Sequence, residues 1–157
     1  MMIGVSKFLK ILNWTLLLLN CVLVVYHYFS LPEVIPTHFG LNGEADGFGN
    51  KKMIFFELII AIGLSFLLHY MSENPNTPGL NIPEKLREDK DLTRFFVQGM
   101  LLFVMVLFLG ISWTTIQIAL GQQDGLGWFP LIILAFMFVY MITFFVWVQK
   151  KNKTESI

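Results

Sequence analysis

Residues 31–52 read LPEVIPTHFGLNGEADGFGNKK, a stretch rich in proline, glycine and charge that lies between two runs of almost unbroken apolar residues. The whole chain is 55% hydrophobic and only 14% charged, a balance outside the usual range of soluble domains. It has 11 Lys+Arg and 11 Asp+Glu, so it carries no net positive charge that would attract nucleic acid. We therefore predict a protein of the lipid bilayer, interrupted by one long polar stretch, with no nucleic-acid partner.

Four segments are long and apolar enough to cross a membrane. A bilayer core about 30 Å thick needs roughly 20 apolar residues in a helix. The segments that satisfy this length are 11–29, 53–71, 95–120 and 129–148. The sequence therefore predicts an all-α integral membrane protein, a single domain over 1–157, with four transmembrane helices and an ordered outer loop between the first two.

The lysines and arginines predict the orientation, because they favour the cytoplasmic side of short loops. With a cytoplasmic N-terminus, nine of the eleven lie inside, and Lys51 and Lys52 lie outside, where the second span begins. The predicted parts are an outer loop at 30–52, a cytoplasmic loop at 72–94 and a cytoplasmic tail at 149–157. We expect a multi-pass protein of the cell membrane with both termini in the cytoplasm.

Polar residues inside the spans are expensive in lipid and need partners. Asn13, Asn20 and His27 recur every seven residues in the first span, so they share one helix face that must meet other helices. For Asn13 and Asn20 we expect interhelical hydrogen bonds that hold the helices together, worth roughly 0.6–2 kcal/mol each.

A second polar group is predicted in the outer leaflet. The topology brings His27, Glu57 and Gln117 to similar depth, and Thr114 lies almost one turn below Gln117. If all four face the bundle interior, Glu57 either forms an ion pair with His27 or is held protonated. The alternative is that the Glu57 side chain extends to the membrane interface and does not join the other three.

The 31–52 stretch is predicted to be a compact lid on the outer face of the bundle. Its apolar residues require burial, which disfavours disorder; they are Leu31, Val34, Ile35, Phe39, Leu41 and Phe48. His38, Glu44 and Asp46 offer an imidazole and two carboxylates, a weak metal-binding pattern, and turn and capping roles are the competing interpretation. No phosphate loop, zinc-protease helix or nucleophile–base motif is present, so we expect neither a cofactor nor an enzyme.

The pattern LPxxIPTHF at 31–39 followed by NGExDGFGxK at 42–51 resembles the domain of unknown function 1648 of Gram-positive bacterial membrane proteins. That domain forms the N-terminal part of the immunity family that protects cells against the sporulation-delaying peptide toxin. The resemblance covers roughly residues 11–70, while the immunity proteins are longer, with additional helices. The family pattern places its outer-loop motif on Pro32, Pro36, His38, Phe39, Gly43, Asp46, Gly47, Gly49 and Lys51.

Three functions are compatible with these features. The resemblance implies immunity-like protection, in which the outer face binds a membrane-active peptide such as a toxin, or another membrane protein. A second is a small transporter, or a subunit of one, that uses Glu57 and His27 for ion or proton coupling. The third is a signalling partner that sequesters a cytoplasmic regulator through residues 72–94.

Overall fold

The structure is a computed structural model that describes residues 2–155. Its elements are α1 (Met2–Tyr28), β1 (Val34–Phe39), β2 (Ala45–Asn50), α2 (Met53–Glu73), α3 (Glu84–Glu88), α4 (Lys90–Ala119) and α5 (Phe129–Glu155). Four of these helices, α1, α2, α4 and α5, are long and apolar enough to cross a membrane. The predicted helical membrane fold is confirmed.

The helices extend beyond the apolar segments that predicted them. Hydropathy marks the part of a helix that lipid can cover, whereas backbone hydrogen bonds continue into the polar flanks. Thus α1 begins at Met2 rather than near residue 11, and α5 continues to Glu155 through most of the predicted tail. Residues 156 and 157 of that tail lie outside the described residues. At the start of α4, the Asp89 carboxylate accepts hydrogen bonds from the backbone N–H groups of Asp91 and Leu92, which caps the helix five residues before the predicted span.

α4 lies at the centre of the bundle. It packs against α1 and α2 on one side and against α5 on the other. On the α5 side the Phe96 and Phe144 rings stack with centroids 4.9 Å apart, and the Tyr140 hydroxyl donates toward the carbonyl oxygens of Phe95 and Phe96 at 3.3 Å. Because α5 contacts the bundle along one face, large apolar side chains on its other faces, such as Phe136, Phe138 and Ile142, are exposed.

The predicted cytoplasmic loop is partly folded. Ile82 and Leu86 are buried against α4 and α5, next to Phe144 and Val148. Thr93 of α4 donates a hydrogen bond to the carbonyl oxygen of Leu86. The second half of this loop is thus attached to the bundle by apolar contacts.

The 31–52 stretch forms a β-hairpin, which the sequence prediction missed. β1 and β2 are antiparallel, with Val34 opposite Asn50 and Phe39 opposite Ala45, and the register shifts on both sides of His38. The prediction failed because β2, with the sequence ADGFGN, has none of the β-branched residues that normally indicate a strand, and β1 contains a proline.

Two anchors hold this hairpin onto the bundle. At its base, Leu31 and Ile35 are buried among residues of α1, α2 and α4. At its tip, the N–H of Leu126 in the α4–α5 loop donates to the carbonyl oxygen of Gly43 at 2.8 Å. Gly43 has φ +79°, and a Cβ there would lie 2.8 Å from the backbone nitrogen of Gly127. Only glycine therefore fits this contact without strain.

The expected burial of the lid's apolar residues is only partly correct. Ile35 is 1% exposed, whereas Leu41 is 94% and Phe48 63% exposed. A hairpin lying on a bundle has one covered face and one open face, and Leu41 lies between the two strands near the tip. We call the end of the bundle that carries the hairpin the hairpin end, and the end with Lys7, Lys10 and Arg94 the basic end.

Candidate functional site

A cleft opens at the hairpin end between β1, α2 and α4. We call it the hairpin cleft; its volume is about 200 Å³. Its lining residues are mostly apolar and comprise Ile35, Pro36, Thr37, Phe39, Met53, Ile54, Phe56, Glu57, Ile60, Ile111 and Thr115. The hairpin lies across α2 and α4, and the cleft is the gap that remains between β1 and these two helices.

Glu57 is the one charged side chain among these lining residues. It is half-buried, and its Oε1 accepts a hydrogen bond from the hydroxyl of Ser112 at 3.1 Å. Ser112 is fully buried in α4, and Thr115 lines the cleft one turn further along the same helix. The site therefore presents one carboxyl group in apolar surroundings, an arrangement suited to bind a cation or a hydrogen-bond donor attached to an apolar body.

The predicted cluster of His27, Glu57, Thr114 and Gln117 does not form. The His27 ring packs against the rings of Tyr26 and Trp113, with centroids 5.0 and 6.3 Å away. Thr114 donates to carbonyl oxygens of its own helix, at Gly110 and Ile111. The Gln117 side chain makes no hydrogen bond within residues 2–155.

The reason is the rotation of α4. Glu57 contacts Ser112 and His27 contacts Trp113, and consecutive residues point about 100° apart around a helix axis. Glu57 and His27 therefore meet different faces of α4, and no ion pair joins them in the described chain. Sequence reasoning missed Ser112 and Thr115, although their spacing of three places them on one helix face at the depth of Glu57.

The motif residues of the hairpin mostly form its frame. Pro36 and Phe39 line the hairpin cleft, while Gly43 forms the tip contact. Lys51 lies at the base, where its Nζ is 2.9 Å from a carboxylate oxygen of Glu33. Of the other motif positions, Pro32 is exposed, and Gly47 and Gly49 face β1 across the hairpin.

His38 and Asp46 form an exposed pair on the hairpin, with Nδ1 and Oδ1 2.5 Å apart. Glu44 instead accepts from the Asn42 amide at 2.7 Å. Across residues 2–155, no group of three or more His, Cys, Asp or Glu side chains is arranged to hold a metal ion. The three residues of the weak metal-binding pattern therefore have separate partners. His38 and Asp46 pair across the strands, and Glu44 contacts Asn42 in the turn.

A second polar site lies at the basic end. There, the Asn13 amide donates to the backbone and side-chain oxygens of Gln98, both at 3.0 Å, as the predicted interhelical role required. The Gln98 amide in turn contacts Ser72 Oγ at 2.9 Å and His69 Nδ1 at 3.0 Å.

Above these amides, a cleft of about 220 Å³ opens between α1, α2 and α4; we call it the basic cleft. Arg94 contacts Glu73 there, with Nε and Nη2 2.9 and 2.8 Å from Oε2. The lining residues are Ile3, Ser6, Lys7, Lys10, Glu73, Arg94 and Gln98, so three cations surround one carboxylate.

Comparison with known proteins identifies the part of the chain that carries the hairpin. The family model described as "Domain of unknown function (DUF1648)" matches residues 15–66, which include about half of α1, the hairpin and two thirds of α2. An uncharacterized protein of the archaeon Archaeoglobus fulgidus is 26% identical over 123 residues, covering 68% of this chain and 67% of the relative. No solved structure matches. The chain is therefore a multi-pass membrane protein whose residues 15–66 match the DUF1648 family model.

Proposed function

We propose that this protein is a non-enzymatic membrane protein that binds an amphipathic ligand in the hairpin cleft. The observation that carries the proposal is Glu57, a single carboxyl group in a mostly apolar cleft of about 200 Å³. Its Oε1 accepts from Ser112, and no basic side chain lines the cleft. A ligand with a basic or donating group supplies the missing partner, because a buried charge without one is costly.

The size of the cleft indicates what part of a ligand it holds. Pockets that enclose a drug-sized molecule have volumes of about 300–1,000 Å³. The hairpin cleft is smaller than this range, which supports binding of one or two side chains of a larger molecule. A membrane-active peptide with a lysine beside apolar residues has the required chemistry.

This ligand class supports an immunity-like role. A peptide that inserts from outside the cell reaches the hairpin end first if that end faces outward, as the lysine and arginine distribution predicts. Binding it at the hairpin cleft then keeps it from disrupting the bilayer. We therefore propose a cell-membrane location with both termini in the cytoplasm.

The binding test uses the full chain in lipid nanodiscs and a synthetic amphipathic peptide of leucine and lysine with a fluorescent label. Glu57→Gln keeps an oxygen acceptor but removes the charge, so a hydrogen bond of about 1.5–3 kcal/mol becomes one of about 0.5–1.5 kcal/mol. The loss of about 1–1.5 kcal/mol should raise Kd roughly 5- to 13-fold. Glu44→Gln removes an exposed carboxylate outside the cleft and is the matched control, with an unchanged Kd.

Two results would contradict the proposal. One is peptide binding no tighter than to empty nanodiscs, and the other is equal affinity of the wild type and the Glu57→Gln protein. The immunity role has its own readout, the survival of cells that express the wild type or Glu57→Gln when challenged with the same peptide. Equal killing of the two strains and of cells without the protein would exclude protection against this class of peptide.

A further inference from the structure

Asn20 differs from Asn13, whose amide nitrogen is bonded and whose Oδ1 alone lacks a hydrogen-bond partner among the described residues. It lies in α1 with 2% of its surface exposed, and within the described chain neither its Nδ2 nor its Oδ1 has a hydrogen-bond partner. The prediction that Asn20 links two helices is therefore wrong, although the same prediction for Asn13 is correct. A buried side-chain amide whose nitrogen and oxygen both lack a hydrogen-bond partner is rare in proteins. Such a group commonly indicates a functional role or a bound water molecule.

The helix register places Asn20 at the middle of the bundle. In the parallel helices α1 and α4, Asn13 contacts Gln98 and His27 contacts Trp113. Asn20 lies midway, seven residues or about 10.5 Å from each, and is therefore level with Met105. At that level the hydroxyl of Ser65 in α2 donates to the carbonyl oxygen of Ala61 at 2.8 Å and lies 3.1 Å from the Met105 sulfur.

The same register gives the positions of the two clefts along α4. Gln98 lines the basic cleft, and Ser112 bonds Glu57 of the hairpin cleft. Met105 lies midway between them on α4, seven residues from each. Asn20 and Ser65 therefore lie at a level about halfway between the two clefts in the three-helix unit of α1, α2 and α4.

We propose that Asn20 is the central water-binding site of a proton path between the hairpin cleft and the basic cleft. Its N–H donates to one water molecule and its oxygen accepts from another, which satisfies both groups. A proton taken up by the Glu57 carboxylate from water at the hairpin end passes to the next water by breaking one O–H bond and forming another. One positive charge thereby crosses the bundle without a metal or cofactor.

Two features favour protons and water over other species. Asn20 is too buried for lipid or a second copy of the chain to reach its amide. The side chains of Leu17, Ala61, Leu101 and Met105 offer no oxygen ligand that could replace the hydration shell of sodium or potassium, whereas a proton passes along water by exchange of O–H bonds.

Leu17, Ala61, Leu101 and Met105 form a buried cluster around the level of Asn20, so water passes this level only when these side chains move. Met105 has the most adaptable side chain of the four, because an unbranched thioether changes rotamer easily. Water therefore enters when Met105 moves. This inference goes beyond peptide binding and rests on a different observation.

The test measures proton uptake by liposomes that contain the purified full chain and a pH-sensitive dye, with a potassium gradient and valinomycin supplying the driving force. The wild type is expected to take up protons faster than protein-free liposomes. Asn20→Leu should reduce uptake to the protein-free rate. Asn20→Ser, which keeps a donor and an acceptor, should retain uptake, as should Val22→Leu, a change on an exposed face of α1.

A stability measurement separates this role from a structural one. Leucine at position 20 removes two unsatisfied polar atoms, so Asn20→Leu should have an unchanged or higher Tm while its uptake is lost. It should also bind the leucine–lysine peptide with wild-type Kd, which separates this inference from the proposed function. Wild-type uptake equal to that of protein-free liposomes, or undiminished uptake by Asn20→Leu, would overturn the proton path.

Discussion

Replacing Gly43 with alanine should release the tip of the hairpin from the α4–α5 loop. Alanine at the observed φ of +79° costs about 1–2 kcal/mol, because its Cβ crowds the neighbouring carbonyl. The Cβ would also lie 2.8 Å from the nitrogen of Gly127, which displaces the loop and breaks the hydrogen bond from Leu126 to Gly43. That bond contributes about 0.5–1.5 kcal/mol. The expected destabilisation of the closed hairpin is therefore about 1.5–3.5 kcal/mol.

Hydrogen exchange followed by mass spectrometry measures this opening directly. A loss of about 1.5–3.5 kcal/mol should speed amide exchange at 34–50 roughly 10- to 300-fold. Gly79→Ala is the matched control, since Gly79 has φ +89°, a Cβ added there would meet no atom within 4 Å, and the residue lies at the basic end. It should leave exchange in the hairpin unchanged. Equal exchange of the hairpin in the wild type and in Gly43→Ala would refute the tip anchor.

Two paired substitutions test the packing of the bundle and of the hairpin base by unfolding in mixed micelles. Gly99→Ala should lower the free energy of unfolding by about 1–3 kcal/mol, because the new methyl group overlaps the Tyr140 hydroxyl. Gly63→Ala, where a Cβ would meet no atom within 4 Å, should raise it by about 0.5–1 kcal/mol through helix propensity. Changes of the same sign for both would show that α5 does not pack at Gly99. Ile35→Ala should lower the free energy of unfolding by about 2–5 kcal/mol, since Ile35 is 1% exposed. Val34→Ala, at an exposed position, should change it by no more than about 0.5 kcal/mol. Similar losses for the two would contradict the hairpin's orientation.

The sequence was sufficient to predict the membrane helices because their signal is strong and local. Runs of apolar residues of bilayer length leave few alternatives, and the family resemblance over the hairpin region was confirmed by the match at 15–66. The helix ends were less predictable, since Asp89 caps α4 through its own side chain in a polar segment. The hairpin was missed because glycine and proline normally indicate turns. In this hairpin, Gly47 and Gly49 are strand residues that allow close contact with β1.

The candidate site was only half predictable. Depth along the membrane follows from residue counting, and this correctly placed Glu57 near the hairpin. Rotation about the helix axis does not follow from it, so His27 and Gln117 were grouped with Glu57 while Ser112 was overlooked. Asn20 shows the same limit, because a polar stripe predicts which face is buried but not whether each amide finds a partner.

The most direct test of the central claim measures the charge preference of the hairpin cleft. In a Cys21→Ser background, Thr115→Cys places a thiol in the cleft beside Glu57. We predict that a small cationic methanethiosulfonate reacts there faster than its anionic counterpart, and that Glu57→Gln removes this preference. A cysteine at Ser65, which is buried and outside the cleft, should react with neither. Equal rates for the two reagents with Glu57 in place would contradict a cleft that binds basic ligands through this carboxylate.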